Sequence, residues 1–253
     1  MTHYFQCLGC RVVFTDRVPQ VSYDDWDKSP GYARWEEYLD NVFARVVQDI
    51  LRFKPDGKVL EIGSSVGYLL RALVAAGFDA EGIEPSKYAA EYARERGFKV
   101  IDGYFHGGIY PPDSFDVVIL NHVLEHIPNP TELVGQVRDV LKDRGIVLVS
   151  LPNFGSIEAQ LLKARWRFLM PHEHYLQFTP RTLSQFLRNN GFDVLQVKTT
   201  VRFNELADPW KEFRRALVKD QKNLIYYAIE LLPTGVEQLL GRGTGLQVIA
   251  AKA

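Results

Sequence analysis

Cysteine is almost missing from this chain. Its 253 residues include two, Cys7 and Cys10, and a pair so close in sequence does not staple a secreted scaffold. Long apolar runs are missing as well. No stretch reaches the roughly 18 apolar residues of a membrane span, and the first residues lack the apolar run of a signal peptide. A soluble, cytoplasmic protein is the expectation. An excess of one charge is also lacking. The 30 Lys and Arg residues face 31 Asp and Glu, a net charge of −1. That excludes the basic surplus of a general nucleic-acid binder. The remaining composition, 46% hydrophobic and 24% charged, is ordinary for a globular chain. The length suits one domain with additions.

Two phosphate signatures are absent. There is no G-K-[S/T] for a P-loop, and the dinucleotide spacing G-x-G-x-x-G fails. Counted from Gly63, its second and third glycine positions hold Ser65 and Tyr68.

What is present is an apolar run that ends in an acid and turns through small residues, Lys58-Val-Leu-Glu-Ile-Gly-Ser-Ser-Val-Gly67. Gly63 and Gly67 allow positive φ and close approach of a ligand. Ser64 or Ser65 is expected to cap a helix starting near Val66. The next apolar run ends in a second acid, Glu84 of Glu81-Gly-Ile-Glu-Pro85. A carboxylate at Glu61 repels a pyrophosphate and attracts an ammonium. Glu84, closing the second strand, is placed to take two ribose hydroxyls. A ligand with a cationic amino-acid end, a ribose and no phosphate fits both, and S-adenosylmethionine is such a ligand.

Apolar runs and helical periodicity alternate through the middle of the chain. Strands are expected near 58–62, 79–84, 98–101, 115–120 and 145–151, with helices near 66–76, 86–96 and 131–142. Such alternation implies a parallel sheet with right-handed crossovers, whose ligands lie beyond the carboxyl ends of the strands. Glu61, Glu84, Asn121 and Pro152 all fall at such ends. Three parts are expected: a small ribbon unit over 1–21, a helical lid over 22–57, and the main domain over 58–253. The main domain carries a cap segment at 153–180 and a two-helix insertion at 203–241. Tyr23 and Tyr32 are lid candidates over the cofactor. The C-x-x-C of Cys7 and Cys10 looks like half of a zinc ribbon. A structural zinc wants four ligands, so no metal is expected there.

The stretch from about 58 to 200 resembles the class I S-adenosylmethionine-dependent methyltransferases. Glu61, Gly63, Ser65 and Gly67 fall on that family's E/D-x-G-x-G-x-G loop, with Ser65 in place of the middle glycine. Phe115-Asp-Val-Val-Ile-Leu-Asn-His-Val-Leu-Glu-His126 resembles its fourth strand and the turn that follows. The resemblance implies a doubly wound, mostly parallel seven-stranded α/β sheet, with Phe192–Thr200 and Gly245–Ala251 as an antiparallel pair at one edge. It also implies cofactor contacts from Glu61, Gly63, Ser64, Ser65, Gly67, Glu84 and Pro85, and from Asn121 and His122. Gly103 and Tyr104 are then nearest the adenine. The reaction product is S-adenosylhomocysteine.

Four of the six histidines, His122, His126, His172 and His174, fall on loops after strands. Glu173-His174 ahead of Phe178-Thr-Pro180 resembles an element of family members that act on sugars and polysaccharide precursors. His174 is the first candidate for a base, with Glu173 as its orienting partner; His172 and His122 follow. His126 and Glu125 are expected to pack or cap their turn. His172 and His174, spaced i,i+2, are not expected to bind metal.

The expected partner is a small-molecule acceptor, a hydroxyl of a sugar, nucleotide sugar or glycan precursor. The alternatives are O-methylation of a quinone-like or aromatic ring and a non-catalytic cofactor-binding scaffold. A nicotinamide oxidoreductase is disfavoured by Glu61 and the failed glycine spacing. The basic run Lys211 to Lys222 and the apolar Leu224–Leu232 that follows it are expected to pack on the core, with a membrane surface as the alternative.

Overall fold

The computed structural model describes residues 2–18, 36–200 and 240–253. The lid tyrosines Tyr23 and Tyr32, the expected insertion at 203–241 except its last two residues, and the basic and apolar runs within it lie outside the described residues. Among the described residues, no helix is long and apolar enough to cross a membrane.

The chain begins with a short hairpin, β1 (Tyr4–Gln6) and β2 (Val13–Thr15), followed by helix α1 (Glu36–Leu51). The core then alternates: β3 (Lys58–Ile62), α2 (Tyr68–Ala75), β4 (Asp79–Glu84), α3 (Lys87–Glu95), β5 (Lys99–Asp102) and β6 (Phe115–Asn121). Next come α4 (Pro130–Val140), β7 (Leu141–Pro152), α5 (Ile157–Leu162), β8 (Leu176–Gln177), α6 (Pro180–Asn189), β9 (Phe192–Thr200) and β10 (Gly245–Lys252).

Seven strands form one sheet in the order β5-β4-β3-β6-β7-β10-β9. Strands β3 to β7 run parallel, and β10 runs antiparallel to both of its neighbours. This is the expected doubly wound α/β architecture with an antiparallel edge pair. Strand order reverses on the two sides of β3, which opens a crevice beyond its carboxyl end.

Alternation along β6 shows how both faces are filled. Val118 and Leu120 join one apolar layer with Val134 and Val137 of α4 and Leu183 and Leu187 of α6. Val117 and Ile119 join the other with Val47 and Ile50 of α1, Leu70 and Leu73 of α2 and Ala90 of α3. A central parallel strand buried on both faces reads as a continuous apolar run, as the sequence of β6 does.

The helix starts are marked locally. Ser86 accepts from the Ala89 amide at α3, and Asn129 accepts from the Glu132 amide at α4 ahead of Pro130. Thr179 and Thr182 form a reciprocal capping box at α6. Helix α4 stops at Val140, short of the expected end, because Leu141 already pairs with Phe115 in the sheet.

The N-terminal ribbon does not stand by itself. Strand β2 pairs antiparallel with β8, Val13 opposite Gln177 and Phe14 opposite Leu176. The Thr15 amide adds a bond to the Tyr175 carbonyl at 3.1 Å. The ribbon therefore braces the cap segment, which holds more regular structure than its sequence pattern indicated.

One buried carboxylate ties the first helix to the antiparallel edge. Asp49 of α1 accepts from Lys198 Nζ of β9 at 2.8 Å and from Gln247 Nε2 of β10 at 3.0 Å. Replacing Asp49 by Ala leaves both donors without that acceptor. The expected loss is ~1.5–3 kcal/mol of folding stability, read as a lower urea midpoint with the slope unchanged; an unmoved midpoint contradicts the role.

Candidate functional site

The first crossover is built from backbone that few side chains tolerate. Gly63 has φ 75° and Gly67 has φ 86°. A Cβ at Gly63 would lie 2.7 Å from Val123 Cγ2, and one at Gly67 would lie 2.9 Å from the Phe98 ring. Between them Ser65 is left-handed as well, at φ 46°, a conformation that disfavours residues other than glycine. Helix α2 begins at Tyr68 with Gly67 as its cap and no side-chain bond. Neither serine caps it, contrary to expectation, because the left-handed turn at Ser65 and Gly67 intervenes. Ser64 instead turns down onto β4: a Cβ on Gly82 would meet its Oγ at 2.4 Å. Its amide is bonded to the Ile83 carbonyl at 3.3 Å.

Glu84 holds the loop together. One carboxylate oxygen accepts from the Ser65 amide and the other from the Ser86 amide, each at 2.8 Å. The Glu84 carbonyl takes the Gly103 amide at 2.9 Å, which brings the end of β5 beside it. Tyr104, next in the chain, is 64% exposed.

Glu61 is the unusual group. It is 3% exposed, and its Oε2 has no hydrogen-bond partner. Burial, then the neighbouring charge of Glu84, pushes its carboxyl well above the ordinary carboxylate value. A buried acceptor without a donor is costly. A cationic nitrogen would relieve both the desolvation and the repulsion. The Ser65 hydroxyl, also buried without a partner, adds a second polar group at the loop. A left-handed turn closed by two glycines, a buried acid with no partner among the described residues and a second acid at the next strand end fit S-adenosylmethionine.

Asn121 closes β6, and His122 follows at φ 57° with its amide bonded to the Ser150 carbonyl at 2.8 Å. The next residues form one turn of 3-10 helix, Leu124–His126. That turn folds Glu125 back under His122, and His122 Nδ1 lies 3.0 Å from Glu125 Oε1. Glu125 is 1% exposed. Burial pushes its carboxyl up, but the bond from His122 and the nearby His122, His126 and His174 rings outweigh this and hold it below the usual value.

His174, 5% exposed, arrives from the cap. Its Nδ1 lies 2.7 Å from the Phe168 carbonyl, and its ring meets His126 edge to face with centroids 4.8 Å apart. Burial leads the effects that lower its pKa below the ordinary imidazole value. His126 Nδ1 in turn lies 2.9 Å from the Glu173 carbonyl. Glu173 therefore engages this cluster through its backbone, and His172 is exposed. Sequence reasoning assigned Glu125 and His126 to packing. The structure instead makes them the floor of the histidine cluster, which the i,i+3 spacing of His122 and Glu125 on a tight turn could have signalled. A cavity of about 320 Å³ lined by Glu81, Arg94, Phe98, Lys99 and Tyr110 holds none of these residues.

Residues 35–197 match the model of a methyltransferase-domain family, which is more than half of the chain. The chain belongs to that family. It is a class I S-adenosylmethionine-dependent methyltransferase. A ubiquinone biosynthesis O-methyltransferase of Methylococcus capsulatus is 32% identical over 151 residues, 54% of this chain and 63% of that one. An uncharacterised protein of Methanocaldococcus jannaschii is 23% identical over 176 residues, 69% of this chain and 83% of that one. Among solved structures, a possible histamine N-methyltransferase of Thermotoga maritima superposes with a TM-score of 0.61 at 19% identity, covering 88% of this chain and 95% of that one. At that identity the likeness speaks for the fold alone. The quinone-type relatives lend no support to the expected carbohydrate acceptor.

Glu61→Gln separates the two roles of this methyltransferase's first acid. In the ligand-free protein the raised pKa of Glu61 favours the fold while the acid is protonated, and that benefit is lost as pH rises through the folded value. The amide should therefore raise the melting temperature near neutral pH, with the gain vanishing below the ordinary carboxylate pKa. Affinity for S-adenosylhomocysteine should fall by ~1.5–3 kcal/mol, the scale of a hydrogen bond to a charged group. Undiminished affinity in calorimetry contradicts the ammonium assignment.

Proposed function

We propose that this methyltransferase acts on a hydroxyl of a small quinone-like or phenolic ring. When bound, S-adenosylmethionine supplies an activated methyl on its sulfonium; alignment of the acceptor and removal of its proton fall to the protein. Glu61 holds the ammonium and Glu84 the ribose hydroxyls. Gly63, Ser65 and Gly67 line the approach, and Asn121 lies at the methionine end.

The observation that carries the ring reading is the aromatic content of the cap. Phe154, Trp166 and Phe168 form a chain with centroid separations of 5.9 Å and 5.7 Å. The ends of that chain lie beside polar groups of the site: Phe154 follows the end of β7, and the Phe168 carbonyl holds His174. An aromatic chain beside a few fixed polar groups suits a planar ring. The relatives named for ubiquinone biosynthesis support the same acceptor class.

His122 takes the proton in this reading. Its Nδ1 is held by Glu125, which leaves the accepting lone pair on Nε2, the arrangement of an oriented base. His174, the first candidate from sequence, serves instead as a buried anchor between the cap and the turn.

Turnover should appear with catechols and hydroxylated quinone precursors and not with free or nucleotide sugars. Turnover confined to sugars overturns the ring reading. His122→Ala should lower kcat by about 10²–10⁴-fold, the usual share of general base catalysis, while calorimetry shows S-adenosylhomocysteine affinity nearly intact. A variant with full kcat removes His122 from the base role.

A further inference from the structure

Three side chains under the cap point to a ligand that methyl transfer itself does not need. One ligating atom from each of Glu125, His126 and His174 lies within 4.8 Å of the others. Both imidazoles are already oriented through Nδ1: His126 toward the Glu173 carbonyl and His174 toward the Phe168 carbonyl. A carbonyl only accepts, so each Nδ1 carries the proton and each Nε2 carries a lone pair. The third member adds another acceptor. Glu125 Oε2 is buried without any hydrogen-bond partner, although Oε1 is engaged by His122.

The three residues therefore offer acceptors at one place, an Nε2 lone pair on each imidazole and the Oε2 of Glu125. A buried carboxylate oxygen without a donor among the described residues is costly, and a bound cation would relieve it. The tethering of Nδ1 to a backbone carbonyl is also the usual outer-shell arrangement of a metal-ligating histidine, since it fixes the tautomer and the ring plane. The ligands come from two elements, the turn after β6 and the cap. An ion here would join them.

We propose that Glu125, His126 and His174 bind one divalent transition-metal ion, Zn²⁺ in the first instance. Two imidazoles and one carboxylate make the nitrogen- and oxygen-rich set that such ions accept, and three protein ligands leave a coordination position open. Mg²⁺ and Ca²⁺, which prefer all-oxygen shells, are disfavoured. A part for the ion in activating an acceptor hydroxyl would rest on the function proposed above. Its binding does not.

The test uses the full chain with Cys7→Ser and Cys10→Ser, so that thiols cannot supply a rival site. After chelator treatment and dialysis, calorimetric titration with ZnCl₂ should show one ion per chain, and Zn²⁺ should raise the melting temperature. The Co²⁺-loaded protein should show visible d–d bands and no thiolate charge-transfer band. That spectrum reads the ligand set without altering the cluster. Glu125→Gln and His174→Ala should each raise the Kd for Zn²⁺ beyond the roughly 10–100-fold typical of losing an outer-shell partner. His106→Ala, on an exposed loop, should leave it unchanged. Absence of stoichiometric Zn²⁺ and Co²⁺ binding overturns the proposal. So does binding that survives both cluster variants. Failure of these arms leaves acceptor turnover untouched, so the two readings fall separately.

Discussion

A carboxylate with no proton donor, sealed beneath the first crossover, is the constraint around which this methyltransferase is organised. Glu61 shares the face of Val59 on β3, which packs in an apolar layer with α1, α2 and α3. An apolar side chain there would spare the core a buried carboxyl group. Its presence is explained by what it can hold: a positive nitrogen brought in by a ligand. The left-handed turn above it, the glycines that hold that turn and the bridging carboxylate of Glu84 fix the conformation of the loop. Phosphates would meet two acids here, and an amino-acid end meets a complementary charge.

The second organising feature is the turn after β6. A single 3-10 turn folds Glu125 beneath His122 and sends His126 toward the cap, where His174 meets it edge to face. In the proposed reading cofactor residues come from strand ends, while the acceptor side is assembled from a turn and a cap that touch only in the folded chain. The pairing of β2 with β8 fixes that cap from outside, so the short N-terminal hairpin contributes to site geometry although it lies far from it in sequence.

Much of the architecture was legible in the sequence because parallel strands buried on two faces leave continuous apolar runs, and their carboxyl ends are marked by acids and glycines. Strand β3 falls where the pattern placed it, and α2 and α3 differ only at their ends. The left-handed loop after β3 was legible for the same reason: Glu61, Gly63 and Gly67 sit in a local pattern. What escaped notice depended on contacts between distant segments. Nothing in Cys7 to Thr15 announces a partner at Leu176. Serine next to a glycine-rich turn reads as a cap, yet the positive φ at Ser65 and Gly67 delays the helix. Glu125 and His126 looked like turn residues, because only the return of His174 makes them part of a cluster.

The measurement that reaches the central claim most directly compares S-adenosylhomocysteine with its analogue lacking the α-amino group, by calorimetry on the unaltered protein. Pairing of a buried acid with the ligand's ammonium predicts that the analogue binds at least about tenfold more weakly, the effect of losing ~1.4 kcal/mol. Equal affinities would mean that Glu61 does not read the positive charge, and the account of the cofactor site would fail.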